Sequence, residues 1–255
     1  MDYLYACLTQ NSPPFGSIYY YAYRRCSEDI IKTLYALDQL KYQWFKASEL
    51  YSKSFVSLQK LQWWQQALIN LEAHRDHPLL DILYQHFELN ELCKLLTHDL
   101  EYALETLAEG RNYQDMLDLS ESFLGIAILK ARLLGFEELH HTKTLNHLSE
   151  LSRHIIMIGK HFSRNIILDN LLTPQIDKDT FHKVAHKLVQ HIQKLKAQSG
   201  LTSAQIKQIK PIILLNKQQE LCTKKFIQKV NSPFIEGVHI SPFSLLFSTL
   251  FASKL

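Results

Sequence analysis

Apolar residues recur at intervals of three and four along most of this chain, which is the spacing of one face of an α-helix. Ser27 is a suitable N-cap for the clearest such segment, and the acids Glu28 and Asp29 follow in its first turn. The apolar positions of that segment are Ile30, Ile31, Leu34, Leu37, Leu40 and Trp44. The pattern therefore predicts a long amphipathic helix from residue 27 to about residue 49.

The same spacing predicts a succession of further helices. Pro78 suits the first turn of one helix, while Gly110 and Gly135 suit helix C-termini. The predicted segments are 57–74, one starting at Pro78, one capped by Asn90 and ending at Gly110, 113–135, 138–160, 179–198, 202–209 and 216–230. No strand and no interdomain linker is predicted. We expect one all-α domain over residues 1–255, with a core at about 15–230 and a C-terminal tail at about 232–255.

The tail is amphipathic. Five large apolar residues fall on one arc of a helix there. They are Phe243, Leu246, Phe247, Leu250 and Phe251. The segment is too short to span a bilayer, which takes about 20 residues. Two interpretations remain open: the tail packs on the helical body, or it contacts a membrane surface or a partner protein.

Composition narrows the class of protein. Hydrophobic residues make up 46% of the 255 residues, which is enough for a sizeable core. The formal net charge of +3 is too small to indicate a nucleic-acid partner. Four scattered cysteines without a CxxC motif indicate neither a zinc site nor a disulfide framework. The N-terminus does not resemble a secretory signal, so we expect a cytoplasmic protein that is soluble or peripheral to a membrane.

Three segments occur in a characteristic order. They read LYALDQLKYQWFKA (34–47), LQWWQQALINLEAHRDHPLLDIL (61–83) and LLTHDLEYALETLAEGRNYQDMLDLSESFLGIAILKARLLG (95–135). In this order and spacing they resemble the squalene/phytoene synthase family, over roughly residues 15–230. The resemblance implies the all-helical isoprenoid synthase fold. It also implies two Asp-rich motifs on facing helices, whose carboxylates would hold Mg²⁺ bound to a substrate diphosphate.

Both Asp-rich motifs have lost their acids in this sequence. By the resemblance, the first motif should follow the LYAL tetrad, and no residue there is acidic. The five positions are Tyr42, Gln43, Trp44, Phe45 and Lys46. The second should lie within residues 152–168, which contain no Asp or Glu and carry Arg153, Lys160 and Arg164. A cation at such a position repels Mg²⁺.

The leading hypothesis is a non-catalytic binding or assembly factor with a protein partner and no cofactor. A branch of the family that includes a mitochondrial complex I assembly factor also lacks the Asp-rich motifs, and residues 225–247 resemble its ending. One alternative is an active prenyl transferase that uses Mg²⁺ at a rearranged site of Asp38, Asp99 and Glu101. Another is a prenyl-lipid or phosphate binder. The competing interpretation of Asp99 and Glu101 is that both are helix-surface acids.

Basic and histidine residues give two further candidate sites. Arg153, Lys160 and Arg164 could bind an anion, or could form a solvated basic face that meets a partner or acidic lipid. Histidines repeat every seven residues at positions 140, 147, 154 and 161. Seven residues span about 10.5 Å of helix, so we expect no two of them to share a metal ion. The candidate cavity-lining residues are Tyr20, Tyr21, His147 and His154.

Overall fold

The computed structural model describes residues 12–51, 53–70, 77–112, 118–229 and 241–250, and that part of the chain is mostly helical. The prediction of an all-α fold class is confirmed. The helices are α1 (Ile18–Tyr23), α2 (Glu28–Phe45), α3 (Ser54–Ile69), α4 (Pro78–Tyr84), α5 (Leu89–Glu109), α6 (Leu124–Leu133), α7 (Leu139–Phe162), α8 (Lys178–Gln198), α9 (Ser203–Gln208), α10 (Lys210–Lys229) and α11 (Pro242–Leu250). One turn of π-helix, Lys46–Leu50, continues α2, and a 3₁₀ turn, Asp118–Ser120, precedes α6.

A two-stranded parallel pair corrects the expectation of no strand. The strands are β1 (Arg111–Asn112) and β2 (Ile166–Ile167). Gly110 makes the pair possible, because its φ of +68° is unfavourable for other residues and a Cβ there would lie 2.6 Å from the Asn165 carbonyl oxygen. Strands of two residues are too short to produce a periodic signal in the sequence.

Several predicted helix starts were wrong, and α5 begins at Leu89 with Glu88 as its N-cap instead of Asn90. Residues 113–117 lie outside the described residues, and α6 begins only at Leu124, after Phe123 in the left-handed region at φ 51°. The last long helix begins at Lys210 instead of residue 216, because Pro211 is tolerated in a first helical turn. By contrast, Pro78 begins α4 and Gly135 follows α6 with φ 75°, both as predicted.

The core consists of two clusters that meet along α7. The first surrounds α2 and includes Trp44 and Phe45 from the positions of the degenerate motif. The second lies between α7, α8 and α10, where Leu151 and Ile155 contribute. Because Ile156 belongs to the first cluster, α7 is apolar on more than one face. This helix therefore lies at the centre of the described structure.

The C-terminal helix α11 packs against α10 and α1. Leu245 is buried, whereas Phe243 and Phe247 are 73% and 56% exposed. The described part of the tail therefore docks on the helical body and also leaves an aromatic edge in solvent, and Phe251 lies outside the described residues. Within the described ranges no helix has the length and hydrophobicity required to cross a membrane.

Candidate functional site

A group of buried charged side chains joins α2, its π-helical turn, α6 and α7. We call it the central ionic network. Its members are Asp38, Lys41, Glu49, Lys130, Glu150 and Arg153. Three are acids and three are cations, so the network is neutral when all six are ionised. Buried charges require such pairing, because an isolated ion in the interior is costly.

Arg153 is the centre of the network and is only 2% exposed. Its Nη2 donates to Glu49 Oε1 at 3.1 Å and to Glu150 Oε2 at 2.6 Å, its Nε donates to Glu150 Oε2 at 3.0 Å, and its Nη1 donates to Glu49 Oε2. The guanidinium carbon also lies 4.8 Å from the Phe45 ring centre and 5.6 Å from that of Phe123. Arg153 thus ties α7 to the π-helical turn and binds two carboxylates at once.

The other half of the network surrounds Asp38. Lys130 from α6 forms an ion pair with its carboxylate, and the Tyr23 hydroxyl donates to the same carboxylate at 2.5 Å. Lys41 lies one turn along α2 from Asp38 and pairs with Glu150 of the Arg153 half, so the two halves adjoin. The network therefore crosses the interface between α2, α6 and α7.

Mutual pairing keeps the two glutamates of the network charged. Burial alone would raise the pKa of Glu150, but the charges of Arg153 and Lys41 outweigh it and hold that pKa at about 2. Burial likewise opposes ionisation of Glu49, and Arg153 with His161 lowers its pKa well below the ordinary value. Both carboxylates are therefore ionised at neutral pH, mainly because of the positive charge of Arg153.

Two histidines extend the network and correct the spacing argument. Nδ1 of His154 lies 3.0 Å from Nδ1 of His161, although the residues are seven apart on α7. The axial separation of about 10.5 Å still holds for the backbone, but the two imidazoles point towards each other and close it. The distance argument against two of these histidines sharing a metal ion was therefore wrong for His154 and His161, because it ignored the reach of the side chains.

The two histidines form a chain of polar contacts with Arg153 and Glu49. Arg153 Nη2 lies 3.0 Å from His154 Nε2, and His154 Nδ1 lies 3.0 Å from His161 Nδ1. Nη2 has two hydrogens, which it shares among Glu49, Glu150 and His154. His161 Nε2 lies 2.7 Å from Glu49 Oε2 in a close but bent contact. Burial lowers the pKa of both imidazoles, and the charge of Arg153 lowers the pKa of His154 further. Both imidazoles are therefore neutral at pH 7.

Glu49, His154 and His161 also have the chemistry of a metal site. Their ligand atoms lie within 4.8 Å of one another, and one carboxylate with two imidazoles is a donor set that zinc accepts. Both Glu49 oxygens, however, accept from Arg153. A divalent ion here would add two buried positive charges beside a guanidinium. A resident divalent metal would have to share the Glu49 carboxylate with Arg153.

The degenerate first motif divides between the core and the surface. Tyr42, Trp44 and Phe45 are buried in the first core cluster. Tyr42, Gln43 and Lys46 line a separate surface cleft of about 440 Å³. The remaining residues of that cleft are Tyr51, Lys60, Trp63, Trp64 and His77. The Nζ atoms of Lys46 and Lys60 lie 5.6 and 4.5 Å from the centre of the Tyr51 ring. Two ammonium groups therefore adjoin this cleft, on the side where the squalene/phytoene synthases that the sequence resembles carry acids.

The three acids of the rearranged-site hypothesis do not converge. Asp38 pairs with Lys130. Asp99 is fully buried, and its carboxylate accepts the backbone N–H groups of Gly125 at 2.8 Å and Ile126 at 2.7 Å. It thereby caps the N-terminus of α6. Glu101 is exposed on α5, as expected for a helix-surface acid. The expectation that Asp99 is also a surface acid was wrong.

The three cations of the suggested anion site occupy different environments. Arg153 is buried and paired with two acids, so it is not part of a solvated face. Lys160 is half-buried near the end of α7. Arg164 donates from Nη1 to Ser54 Oγ at 3.1 Å, while its Nε and Nη2 are shielded from solvent without a hydrogen-bond acceptor among the described residues.

The suggested cavity-lining residues also separate. Tyr20 and Tyr21 pack edge to face in α1, with ring centres 5.4 Å apart. The buried His147 ring lies 5.5 Å from that of His191 on α8, away from the network. His154 adjoins a cavity of only about 10 Å³. The cavity that reaches Lys41 and Lys130 holds about 40 Å³, which is room for a few waters.

Sequence reasoning missed four members of the network: Lys41, Glu49, Lys130 and Glu150. One of them left a local signal, because Glu150 lies three residues before Arg153 and must share its helix face. Glu49 and Arg153 are 104 residues apart, so their contact depends on tertiary structure alone.

No family model, no curated protein and no solved structure matches this chain at a significant level.

Proposed function

We propose that this protein is a non-catalytic binding or assembly protein built on a helical body of the squalene/phytoene synthase type. The observation that carries the proposal is the position of Arg153, whose buried guanidinium is bonded to Glu49 and Glu150 between the π-helical turn and α7. Carboxylates that hold Mg²⁺ must offer it their oxygen atoms. Here those oxygens accept from a side chain of the same protein, which acts as a permanent internal cation.

The space around the network also supports a non-catalytic role. Small-molecule sites usually measure about 300–1,000 Å³. The cavity beside Lys41 and Lys130 is about 40 Å³, and Phe45 packs against Arg153 where the two helices face each other. A prenyl diphosphate would have to displace this packing. An active prenyl transferase using Asp38, Asp99 and Glu101 gains no support, because each of these acids lies in a different environment.

The exposed aromatic edge of α11 is the surface that we propose for the partner. Phe243 and Phe247 are 73% and 56% exposed on a helix whose other side packs on the body. Exposed aromatic residues of this kind suit contact with a protein or with a membrane surface. A cytoplasmic protein bound peripherally to a membrane remains part of this proposal.

A second candidate function is that of a prenyl-lipid or phosphate binder. The observation that favours it is the cleft of about 440 Å³ beside α2 and α3. Lys46 and Lys60 both contribute to its wall, and Trp63, which is 43% exposed, offers an apolar ring surface. Ammonium groups beside an aromatic wall suit a phosphate carried on an apolar group.

An assay of prenyl diphosphate turnover distinguishes a binding protein from an enzyme. The purified protein is incubated with Mg²⁺ and farnesyl or geranylgeranyl diphosphate, and released diphosphate is measured against a buffer blank, with an active squalene synthase as positive control. The proposal predicts no release above the blank. Release that depends on Mg²⁺, and that disappears in Asp99→Asn while this variant still folds, would overturn it in favour of the transferase.

A further inference from the structure

An open apolar cleft of about 250 Å³ lies between α7, α8 and α10. Its α7 wall comes from Leu145, Leu148 and Ser152. At 3.6 residues per turn these three lie about 140–160° around α7 from Glu150 and about 80–140° from Arg153. None of the six members of the central ionic network lines the cleft, although Leu145 and Asn216 also line the small cavity beside Lys41 and Lys130. Ile192 of α8 and Ile213 of α10 complete its apolar wall.

The rim of this cleft is positively charged. Glu220 accepts ion pairs from Lys196 and from Lys224, each at 2.8 Å, and Lys217 also lines the cleft. Three lysines therefore stand around one glutamate. Burial, and next the neighbouring charge of Lys196, lower the pKa of Lys217. An anion at the rim would offset this repulsion between ammonium groups.

The size of the cleft sets the length of the apolar group it can hold. An apolar protein cavity of about 150 Å³ accepts benzene, which has six carbons. By proportion, about 250 Å³ accommodates roughly ten carbon atoms. We propose that the cleft binds an anionic amphiphile, with a chain of about ten carbons against Leu148, Ile192 and Ile213 and a carboxylate or phosphate head group at Lys196 and Lys217. This proposal goes beyond the proposed function and does not depend on it.

Calorimetric titration with decanoate and with decyl phosphate, each below its micelle concentration, tests the proposal and distinguishes the two head groups. Binding should strengthen about fourfold for each added CH₂ from hexanoate to decanoate, and then level off once the chain exceeds the cleft. Decanol and decyltrimethylammonium have the same chain without the negative charge and should bind more weakly. If they bind as tightly as decanoate, the anionic part of the proposal is wrong.

Two variants with matched controls locate the binding. Ala197→Trp places a large ring on the exposed side of the cleft and should abolish binding, whereas Ala204→Trp on the exposed face of α9 should not. Lys217→Met should weaken decanoate at least about threefold and leave decanol unchanged, whereas Lys183→Met on exposed α8 should change neither.

The controls also separate this proposal from the proposed function. If decanoate does not bind, or binds equally to the wild type, Ala197→Trp and Lys217→Met, the cleft is not the site and the proposal fails. That result would leave the proposed function untouched. Conversely, Mg²⁺-dependent turnover of a prenyl diphosphate would refute the proposed function without bearing on the cleft.

Discussion

Replacing Arg153 by methionine removes the charge at the centre of the network and keeps a side chain of comparable length. Glu49 and Glu150 would remain buried, with Lys41 as the nearest cation for Glu150 and the neutral His161 beside Glu49. Removing one partner of a buried ion pair costs about 3–5 kcal/mol. At roughly 2–4 °C per kcal/mol for a chain of this size, the melting temperature at pH 7 should fall by about 6–20 °C.

A matched control separates the buried network from an ordinary surface ion pair. Arg132 also faces two acids, Glu91 and Glu137, but its side chain is 38% exposed. Such surface pairs contribute about 0–1 kcal/mol. Arg132→Met should therefore shift the melting temperature by no more than about 4 °C.

The pH dependence follows from the depressed pKa values of the two acids. Their contribution is fully present above the unfolded pKa of about 4.3 and is lost as the pH falls through the folded value, about 2 for Glu150. In Arg153→Met the acids lose this advantage. The stability difference between wild type and variant, measured by urea denaturation, should therefore be large at pH 7 and should shrink as the pH falls from about 4 to about 2. The double variant Glu49→Gln/Arg153→Met should be more stable than Arg153→Met. If Arg153→Met lowers the free energy of unfolding at pH 7 by less than about 1 kcal/mol, the buried network does not stabilise the fold as argued.

Three further predictions concern other buried groups. The neutral imidazoles of His154 and His161 have lowered pKa values, so wild-type stability should fall as the pH drops below about 6.5, and His154→Gln should reduce that fall in urea titrations at pH 7 and 5. Gly125→Ala should cost about 1–3 kcal/mol in thermal melts, because its Cβ would lie 2.1 Å from the Leu95 carbonyl oxygen, and an unchanged melt would contradict that contact. Burial raises the pKa of the Cys222 thiol to about 12, so a thiol reagent should label it only after unfolding; rapid native labelling would contradict its burial.

Local sequence signals were sufficient for most helices. The spacing of apolar residues predicts α2 and α7 because each buries a continuous face. The start of α6 could not be predicted in this way. Its N-terminal N–H groups are capped by Asp99, a residue 26 positions earlier in the chain. A cap supplied by another helix has no signature near the helix that it stabilises.

The central ionic network was invisible for a related reason. The resemblance to the squalene/phytoene synthase family points only to residues 42–46 and 152–168, which carry cations and aromatic residues and no acid. Glu49 and Glu150 lie just outside those windows, and only tertiary packing brings them to Arg153. The sequence shows that no acid stands at the expected motif positions. It does not show that Glu49 and Glu150 lie nearby and are paired with Arg153.

The central claim is that Arg153 fills the place of a divalent cation between α2 with its π-helical turn and α7. Titration of the wild-type protein with Mn²⁺ and inorganic diphosphate, followed by electron paramagnetic resonance, tests it most directly. The account predicts no saturable bound ion in the wild type. A saturable Mn²⁺ signal that requires diphosphate, and that is lost in Glu49→Gln, would contradict it.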